Sequence, residues 1–390
     1  MDEIQGIDLR ALRTGRLERL QAAMRHRDVE VCLLFNEPNV RYATGASAMP
    51  VWSMSTFVRC ALVPAEGTPI LFEHPNSIHR SRLAAADVRP MRSWEFIDRA
   101  NEEAAGWAAE TISAMHELGL RGDRVALDRL GTPGLRALER AGVSIIDAAP
   151  ATRAAREVKT PEEIALFDLN GAIVMRMLGA FEAAIAPGVR ERDLVATLSE
   201  TLLRHGGEYL ATNTVASGPN TNPWRAEATA RALESGDLVY VDTDTVGVEG
   251  YFLCVSRTFH CGDGDPGPQQ RDIHAAALEW LTGMREVIRP GMSCTEISER
   301  APALPERFFP QRYEVMVHGL GLEEEGPSVA YPGDPQPNPD RVIEPGMVLC
   351  VELYAGEVGA RDGVKLGDVV VTTDDGLRVV APYPFAASVG

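Results

Sequence analysis

Apolar and polar residues alternate along 236–259, and this alternation predicts two paired strands. Residues 238–242 read Leu-Val-Tyr-Val-Asp, the two-residue period of a half-buried strand. Two glycines interrupt the pattern, and strand-forming residues resume over 251–259. Asp242 and Asp244 are two positions apart, so on a strand they share one face. Carboxylates that converge from paired strands suit a metal ion, which makes this segment the first candidate site.

The first part of the chain mixes helical and strand patterns, which predicts an α/β domain. The predicted helices are 9–25, 101–119 and 133–141, and the predicted strands are 29–36, 57–64, 68–73 and 124–128. Between them, residues 36–45 predict a polar turn. We place this smaller N-terminal domain at 1–157.

A strong helix-start signal opens the second part of the chain. Thr160 is a good N-cap, Pro161 suits the first helical position, and Glu163 completes a capping box. The predicted helices are 161–186, 192–206, 265–288 and 293–301, and further strands are expected at 313–317, 347–354 and 364–372. Antiparallel strands with helices on one face predict an α+β domain over 158–390.

Composition narrows the class of partner. The chain has 390 residues and a formal net charge of −18, which argues against nucleic acid and against anionic membrane surfaces as partners. The first ten residues are acidic and have no apolar core, so we expect no signal peptide, and we expect no membrane span because no apolar run of ~18 residues is evident. The six cysteines form no CxxC pair, so we expect a reducing cytoplasm.

Four segments together resemble a known enzyme family. They are GDLVYVDTDTVG with SRTF (236–247, 256–259), VMVHGLGLEEEGP (315–327), EPGMVLCVE (344–352) and GVKLGD (363–368). The chain resembles the M24 family of methionine aminopeptidases, prolidases and creatinase. This resemblance implies an α+β pita-bread C-terminal domain, preceded here by an α/β domain like that of the prolidases and creatinase.

The family's metal ligands follow the order Asp, Asp, His, Glu, Glu, and two of these positions are altered here. The resemblance places three ligands on Asp242, His318 and Glu352, the second Asp on Cys254, and the last Glu on Gly367. The candidate metal set is Asp242, Asp244, Cys254, His318 and Glu352. A site without bridging carboxylates cannot hold two ions in the family's way, so we expect no metal or one Zn or Fe ion.

Asp368 follows Gly367 directly. Adjacent side chains on a strand face opposite ways, so it should not replace the missing glutamate.

Within the family, several features resemble the dimethylsulfoniopropionate lyase branch, chiefly the extra Asp244 and a Trp224 where peptidases commonly place a histidine. The implied catalytic residues are Glu324 as base, His318 and Asp244. Glu324 could instead belong to a solvated acidic loop.

Three other residues are candidates for contact with substrate. Trp224 and Tyr251 offer aromatic faces for a cationic substrate. Arg257 could hold a substrate carboxylate or could pair with an aspartate structurally. Cys254 is a metal ligand, a nucleophile with His318 as its base, or a residue without a role.

These observations predict a non-peptidase enzyme of the M24 fold that acts on a small molecule. It would be a lyase or hydrolase that cleaves a C–S or C–N bond by carboxylate and histidine acid–base chemistry. The alternatives are an Xaa-Pro peptidase-like metallohydrolase and a catalytically silent protein that binds a small molecule. A homodimer is expected, as for prolidase-like relatives.

Overall fold

The computed structural model describes residues 3–224, 227–335 and 338–385. The chain divides into two compact units, Met1–Arg156 and Glu157–Gly390.

The first unit contains a mixed sheet of six strands flanked by helices. Its strands are β1 (Glu3–Ile4), β2 (Ile7–Asp8), β3 (Val31–Leu34), β4 (Cys60–Pro64), β5 (Ile70–Glu73), β6 (Asp87–Pro90), β7 (Arg124–Leu127) and β8 (Ser144–Asp147). Its helices are α1 (Leu9–His26), α2 (Glu37–Thr44), α3 (Pro50–Ser53), α4 (Ile78–Ser81), α5 (Ala100–Glu117), α6 (Thr132–Arg140) and α7 (Ala149–Glu157). The order in the sheet is β6-β5-β4-β3-β7-β8, and β1 pairs with β2 separately.

Helix α2 corrects one prediction, because 36–45 was expected to be a polar turn. Pro38 lies in its first turn, where a proline ring is tolerated since the N–H groups there have no helical partner. Gly45 ends the helix at φ +72°, and its N–H donates to the Arg41 carbonyl. The segment therefore carries both a helix start and a helix stop signal, and the polar residues that form these signals are also typical of a turn.

The second unit begins with the predicted capping box and carries the larger sheet. Its helices are α8 (Pro161–Ala184), α9 (Glu191–Arg204), α10 (Pro268–Val287) and α11 (Cys294–Arg300). The Thr160 hydroxyl accepts from the Glu163 N–H at 3.3 Å, and the Glu163 carboxylate accepts from the Thr160 N–H at 2.8 Å. The local sequence thus sets the start of α8.

The strands of this unit form an antiparallel sheet of eight and a small sheet of three. They are β9 (Tyr209–Leu210), β10 (Val215–Ser217), β11 (Leu238–Asp242), β12 (Thr245–Val246), β13 (Phe252–Leu253), β14 (Ser256–His260), β15 (Val317–Leu320), β16 (Glu324–Val329), β17 (Val348–Gly356), β18 (Gly363–Thr373) and β19 (Gly376–Val379). The large sheet runs β10-β11-β14-β18-β17-β15-β16 with β19 beside β18, and the small sheet runs β13-β12-β9.

Helix α8 is apolar enough to qualify as a membrane span by length and composition alone, although no such run was expected from the sequence. Half of the qualifying window is buried inside the protein, where α8 packs against α9 and β13. A buried core helix satisfies the same test, so this finding is weak evidence for a membrane.

The register of the large sheet places four positions side by side. Asp242 on β11 lies opposite Ser256 on β14. Ser256 lies opposite Gly367 on β18, and Gly367 lies opposite Glu352 on β17. Residues opposite one another in a sheet share a face, so this row forms one continuous surface. It ends beside His318, which pairs with Cys350 two residues before Glu352.

His274 on α10 is a buried titratable group away from that surface. Its side chain is fully buried, and neither ring nitrogen has a hydrogen-bond partner among the described residues. Burial lowers the pKa of His274 from 6.5 to about 4, because the charged ring loses its hydration. Between these two pKa values, His274 binds a proton in the unfolded chain but not in the folded chain. The free energy of unfolding therefore falls as the pH drops from 6.5 towards 4.

We predict that His274→Leu removes this dependence. The free energy of unfolding of the native chain should fall by about 2 kcal/mol more than that of the variant between pH 7 and pH 5. Urea unfolding at the two pH values measures the difference. Parallel pH dependences of the two proteins would contradict the assignment.

Candidate active site

The predicted ligand residues do meet in the second unit. Donor atoms of Cys254, His318, Cys350 and Glu352 lie within 4.8 Å of one another, and those of Asp242, Asp244 and Cys254 form a second such group. The two groups share Cys254 and form one cluster on the face of the row described above. The predicted metal residues are therefore together, although this proximity alone assigns none of them a role.

Glu352 is the centre of the cluster and is completely buried. Its Oε2 accepts a very short hydrogen bond from the Lys365 ammonium, and its Oε1 lies 3.1 Å from His318 Nε2. Burial alone would raise the pKa of Glu352, but Lys365 outweighs it and holds this pKa at about 2. Glu352 is therefore a fixed negative charge whose two oxygens are both engaged.

His318 lies between two acceptors. Nε2 faces the Glu352 carboxylate, and Nδ1 lies 3.2 Å from the Gly319 carbonyl oxygen. An imidazole can donate from both nitrogens only when it is protonated. Burial lowers the pKa of His318, but neighbouring Cys350 and Glu352 outweigh burial and raise it well above its usual value. His318 is thus an imidazolium that can give up a proton.

Lys365 is the second cation of the cluster. It lies two residues before Gly367 on β18, so both face the same side of the sheet. Its Nζ lies 3.6 Å from Asp242 Oδ2, in addition to its bond with Glu352. The Tyr313 ring covers it, with the ring centroid 3.7 Å from Nζ. The ammonium is fully buried between two carboxyl groups and one aromatic face.

Asp242 and Cys254 form the other half of the cluster. The Cys254 thiol donates to Asp242 Oδ1 at 3.1 Å, and both side chains are buried. Burial raises the pKa of Asp242, because the attraction of Lys365 at 3.6 Å is too weak to offset it. The pKa of the Cys254 thiol is also raised, first by its hydrogen bond with Cys350 and then by burial. A protonated thiol is a poor nucleophile.

Asp244 differs from the prediction in its backbone, since β11 ends at Asp242 and the strand alternation does not reach it. Its φ of +30° is unusual for a residue other than glycine. The carboxylate nevertheless turns towards the cluster, and its Oδ2 accepts from the Thr212 hydroxyl at 2.5 Å. Burial, reinforced by the negative charge of Asp242, raises the pKa of Asp244 to about 7. It is partly exposed, unlike Asp242 and Glu352.

Trp224 is in contact with Tyr313, the residue whose ring covers Lys365. It packs edge-on against Tyr313 with 5.6 Å between the ring centroids, and its indole Nε1 has no hydrogen-bond partner among the described residues. Tyr313 also lines a cavity of about 330 Å³ with Arg312, Glu314, Ser328, Ala330 and Asp334. One tyrosine thus separates this cavity from Lys365.

Arg257 has a structural role, which corrects its assignment to substrate binding. Its guanidinium is buried and donates to Asp368 at 2.8 Å, to the Gly367 carbonyl at 2.7 Å and to the Tyr383 carbonyl at 2.7 Å. Asp368 also accepts from Arg285 at 2.8 Å. All of these contacts lie on the face of β18 opposite to Lys365, as the alternation at Gly367 and Asp368 predicted. Such a guanidinium has no free edge for a substrate carboxylate.

Two further predicted site residues lie elsewhere. The Tyr251 hydroxyl donates to Glu163 at 2.8 Å, and its ring packs against Phe167, so the side chain belongs to the core under α8. Glu324 lies on β16 at the edge of the sheet with an exposed side chain. Its neighbour Glu325 forms a buried pair with Lys159 at 2.9 Å. The cluster therefore includes neither Tyr251 nor Glu324.

The family is settled by comparison with known proteins. The sequence profile of metallopeptidase family M24 matches residues 167–374, and that of the creatinase/prolidase N-terminal domain matches residues 16–165. The chain belongs to family M24. The resemblance found in four motifs is thus confirmed, and so is the prediction that the chain belongs to a family of enzymes.

Relatives within M24 include both lyases and peptidases. The chain is 33% identical to dimethylsulfoniopropionate lyase DddP of Roseovarius nubinhibens, over 97% of this chain and 87% of the relative. It is 32% identical to the enzyme of the same name from Roseobacter denitrificans over the same shares. The Xaa-Pro dipeptidase of Pyrococcus furiosus is 28% identical over 57% of this chain and 62% of its own length.

Solved structures confirm the pita-bread fold with its N-terminal domain. The X-Pro aminopeptidase of Thermotoga maritima superposes with a TM-score of 0.78 at 20% identity, over 95% of this chain and 99% of that one. The prolidase of Pyrococcus horikoshii gives a TM-score of 0.76 at 20% identity over the same shares. At this identity the likeness concerns the fold alone.

The residues of the cluster do not fit the two-metal centre that an M24 peptidase implies. Such a centre needs carboxylates that bridge both ions, and position 367 offers no side chain. A Cβ at Gly367 would lie 3.0 Å from Glu352 Cβ and 3.1 Å from Ser256 Oγ, so its neighbours would have to shift. Position 254, the other bridging position, offers a single sulfur in place of two carboxylate oxygens.

Sequence reasoning missed Lys365, Tyr313 and Cys350 as members of the site. Lys365 could have been found, because the alternation that excluded Asp368 also puts residues 365 and 367 on one face. Cys350 could have been found in the same way, because it lies two residues before Glu352 on β17 and therefore faces the same side. Tyr313 lies before the start of β15, so strand alternation could not show that its ring faces Lys365.

We predict that Arg257→Met destabilises the protein by about 3–5 kcal/mol, because Asp368 loses a buried partner. Arg378→Met is the matched control, since its pair with Asp168 is half exposed and should contribute less than about 1 kcal/mol. Denaturant unfolding measures both. A variant of Arg257 that kept its stability and only weakened substrate binding would restore the substrate role.

Proposed function

We propose that the chain is a non-peptidase M24 enzyme, a lyase or hydrolase that cleaves a C–S or C–N bond of a small molecule by acid–base chemistry. The observation that carries this proposal is the loss of both bridging carboxylates, since Cys254 and Gly367 stand at those positions and a side chain at 367 would crowd Glu352 and Ser256. Peptide hydrolysis in the manner of a two-metal peptidase needs such ions to generate the nucleophile.

Asp244 is the base in this proposal. It is the cluster carboxylate that is partly exposed, so a substrate can approach it. Thr212 holds one carboxylate oxygen at 2.5 Å, which fixes the orientation of the group. A pKa near neutrality, raised by burial and by Asp242, gives it the basicity to remove a proton from carbon.

The elimination step uses the remaining members of the cluster without a metal. Asp244 takes a proton from the carbon next to an electron-withdrawing group, and the electron pair of that C–H bond forms a C=C bond. The bond from the neighbouring carbon to sulfur or nitrogen breaks, and the leaving group keeps its electrons. His318 can supply a proton when the leaving group needs one. Lys365 and His318 stabilise negative charge that develops on the substrate.

The surroundings suit a small substrate. The cavity beside Tyr313 has about 330 Å³, near the lower end of the range for small-molecule sites. Trp224 and Tyr313 provide aromatic surface that attracts a cationic group such as a sulfonium or quaternary ammonium. Two relatives are named as dimethylsulfoniopropionate lyases, so this sulfonium is the first substrate to test.

We predict turnover of a small sulfonium or ammonium acid. The purified enzyme should release dimethyl sulfide from dimethylsulfoniopropionate, or the corresponding amine from an ammonium analogue, as measured by gas chromatography and NMR. Xaa-Pro dipeptides supplied with Mn²⁺, Co²⁺ or Zn²⁺ should not be cleaved. Dipeptide cleavage would establish the peptidase alternative, and a ligand-induced rise in melting temperature without products would establish a silent binding protein.

A pair of variants assigns the base. Asp244→Asn should lower kcat/KM by about 100-fold or more with the fold retained, because the amide cannot accept the proton. Glu324→Gln should change kcat/KM by less than about twofold, since that side chain faces solvent. If Glu324→Gln were the inactive variant, the base suggested by the family motif would be the right one.

Two expectations from the sequence complete the proposal. A homodimer is inferred from the likeness to prolidases, and a cytoplasmic location from the cysteine pattern. Light scattering of the purified chain tests the first, and cell fractionation tests the second.

A further inference from the structure

We infer that Arg312 binds the carboxylate of a zwitterionic substrate, and that Asp334 holds the same edge of its guanidinium until the substrate displaces it. The inference rests on the proposed function and refines it, because it names the residue that selects a sulfonium or ammonium acid over a small cation without a carboxylate.

A substrate carboxylate needs a cation that it can reach. The guanidinium of Arg257 is buried and engaged on the opposite face of β18, and Lys365 is fully buried between two carboxyl groups. Arg312 differs from both, because it lines the cavity of about 330 Å³ beside Tyr313 and its side chain is 23% exposed. A small molecule in this cavity can therefore contact Arg312 directly.

The guanidinium of Arg312 is held in a fixed plane. Its Cζ lies 3.8 Å from the centroid of the Phe309 ring and 5.4 Å from that of the Tyr331 ring. Its Nη1 donates to the Phe309 carbonyl at 2.9 Å. These contacts restrict the rotation of a long side chain, so a carboxylate meets donors that are already oriented.

One edge of this guanidinium is only half used. Nε and Nη2 point along the same edge, and their spacing matches the two oxygens of a carboxylate. Nη2 donates to Asp334 Oδ1 in a very short hydrogen bond, whereas Nε is buried and has no hydrogen-bond partner among the described residues. A buried donor without an acceptor costs free energy. A carboxylate that accepts from both nitrogens would therefore satisfy Arg312 better than Asp334 does.

Asp334 shows which chemical group this edge accepts, because it is itself a carboxylate. It lines the same cavity, its side chain is 13% exposed, and its N–H donates to the Tyr331 carbonyl at 3.2 Å. A substrate carboxylate that replaces it brings the same charge, so Arg312 stays paired after the exchange. Asp334 is therefore an internal competitor of the substrate.

The neighbouring residues suit the other end of such a substrate. Tyr313 follows Arg312 in sequence and lines the same cavity, and the centroid of the Trp224 ring lies 5.6 Å from that of Tyr313. Aromatic faces attract a sulfonium or quaternary ammonium group. A zwitterion whose charges are a few carbon atoms apart therefore meets complementary groups at both ends.

The test compares two probes that differ in one group. Trimethylammonioacetate carries a cation and a carboxylate, but a single carbon separates them, so it cannot form a C=C bond by losing the amine. Choline carries the same cation with an alcohol in place of the carboxylate. We expect the native chain to bind trimethylammonioacetate at least about tenfold more tightly than choline, as measured by isothermal titration calorimetry.

Three variants assign this preference to Arg312. Arg312→Gln should reduce it to within about twofold, because the amide has neither the charge nor the paired donors. Arg312→Lys should restore it only in part, since an ammonium lacks the planar edge. Arg307→Gln is the matched control, because Arg307 also stacks on a phenylalanine, Phe308, and pairs with Asp272 near the surface. It should change the preference by less than about twofold.

Asp334→Asn tests the internal competitor separately. A neutral amide competes poorly for a guanidinium, so the affinity for trimethylammonioacetate should rise by about threefold or more, whereas that for choline should not rise. This variant keeps Arg312 in place, so it decides the question even if Arg312→Gln does not fold. An affinity for trimethylammonioacetate that stays unchanged in Asp334→Asn would contradict the inference.

Other outcomes would also overturn it: equal affinity of the native chain for the two probes, no measurable binding of either, or an unchanged preference in folded Arg312→Gln. With an acid that is turned over, Arg312→Gln should raise KM at least about tenfold and change kcat less than about threefold. Binding of the acid through Arg312 without any turnover would contradict the proposed function alone. Turnover with a KM that Arg312→Gln leaves unchanged would contradict this inference alone.

Discussion

The buried ion pair between Lys365 and Glu352 is the interaction on which the site depends. Glu352 lies at the centre of an antiparallel sheet with no access to water, and a carboxylate there is tolerable only beside positive charge. Lys365 supplies that charge from the neighbouring strand, and His318 adds a second hydrogen bond. Cys350, together with the negative charge of Glu352, keeps His318 an imidazolium by raising its pKa against the effect of burial. The raised pKa of Asp244 has a different origin, in burial and in the charge of Asp242.

The side chains of β18 alternate between the two faces of the sheet, and each face carries its own group of charged residues. Lys365 and Gly367 face the cluster, whereas Asp368 faces Arg257 and Arg285 on the other side. The Arg257 network binds the strand to the C-terminal segment through the Tyr383 carbonyl, so it holds the backbone of Gly367 in place. The structure therefore gives Arg257 an indirect part in the site, through the strand and not through substrate.

Local signals predicted a good part of this molecule from sequence. The capping box at Thr160 sets the start of α8, and the family resemblance assigned Asp242, His318 and Glu352 to one ligand set, which the fold brings together. Errors arose where long-range partners decide. For Arg257 the sequence left open a substrate carboxylate or a structural aspartate, because Asp368 lies 111 positions and Tyr383 lies 126 positions away in sequence. Tyr251 was assigned to substrate, whereas its hydroxyl binds Glu163 of α8.

Glu324 lies exposed on an edge strand, because a family motif fixes a position in the chain but not the direction of a side chain there, and its role as base stays a prediction.

The most direct test of the central claim is a crystal structure of the native protein grown with Zn²⁺, with anomalous data on both sides of the zinc absorption edge. The account predicts Lys365 Nζ between Glu352 and Asp242, and at most one anomalous peak among Asp242, His318 and Glu352. Two zinc peaks at that place would contradict it and would return the protein to two-metal chemistry.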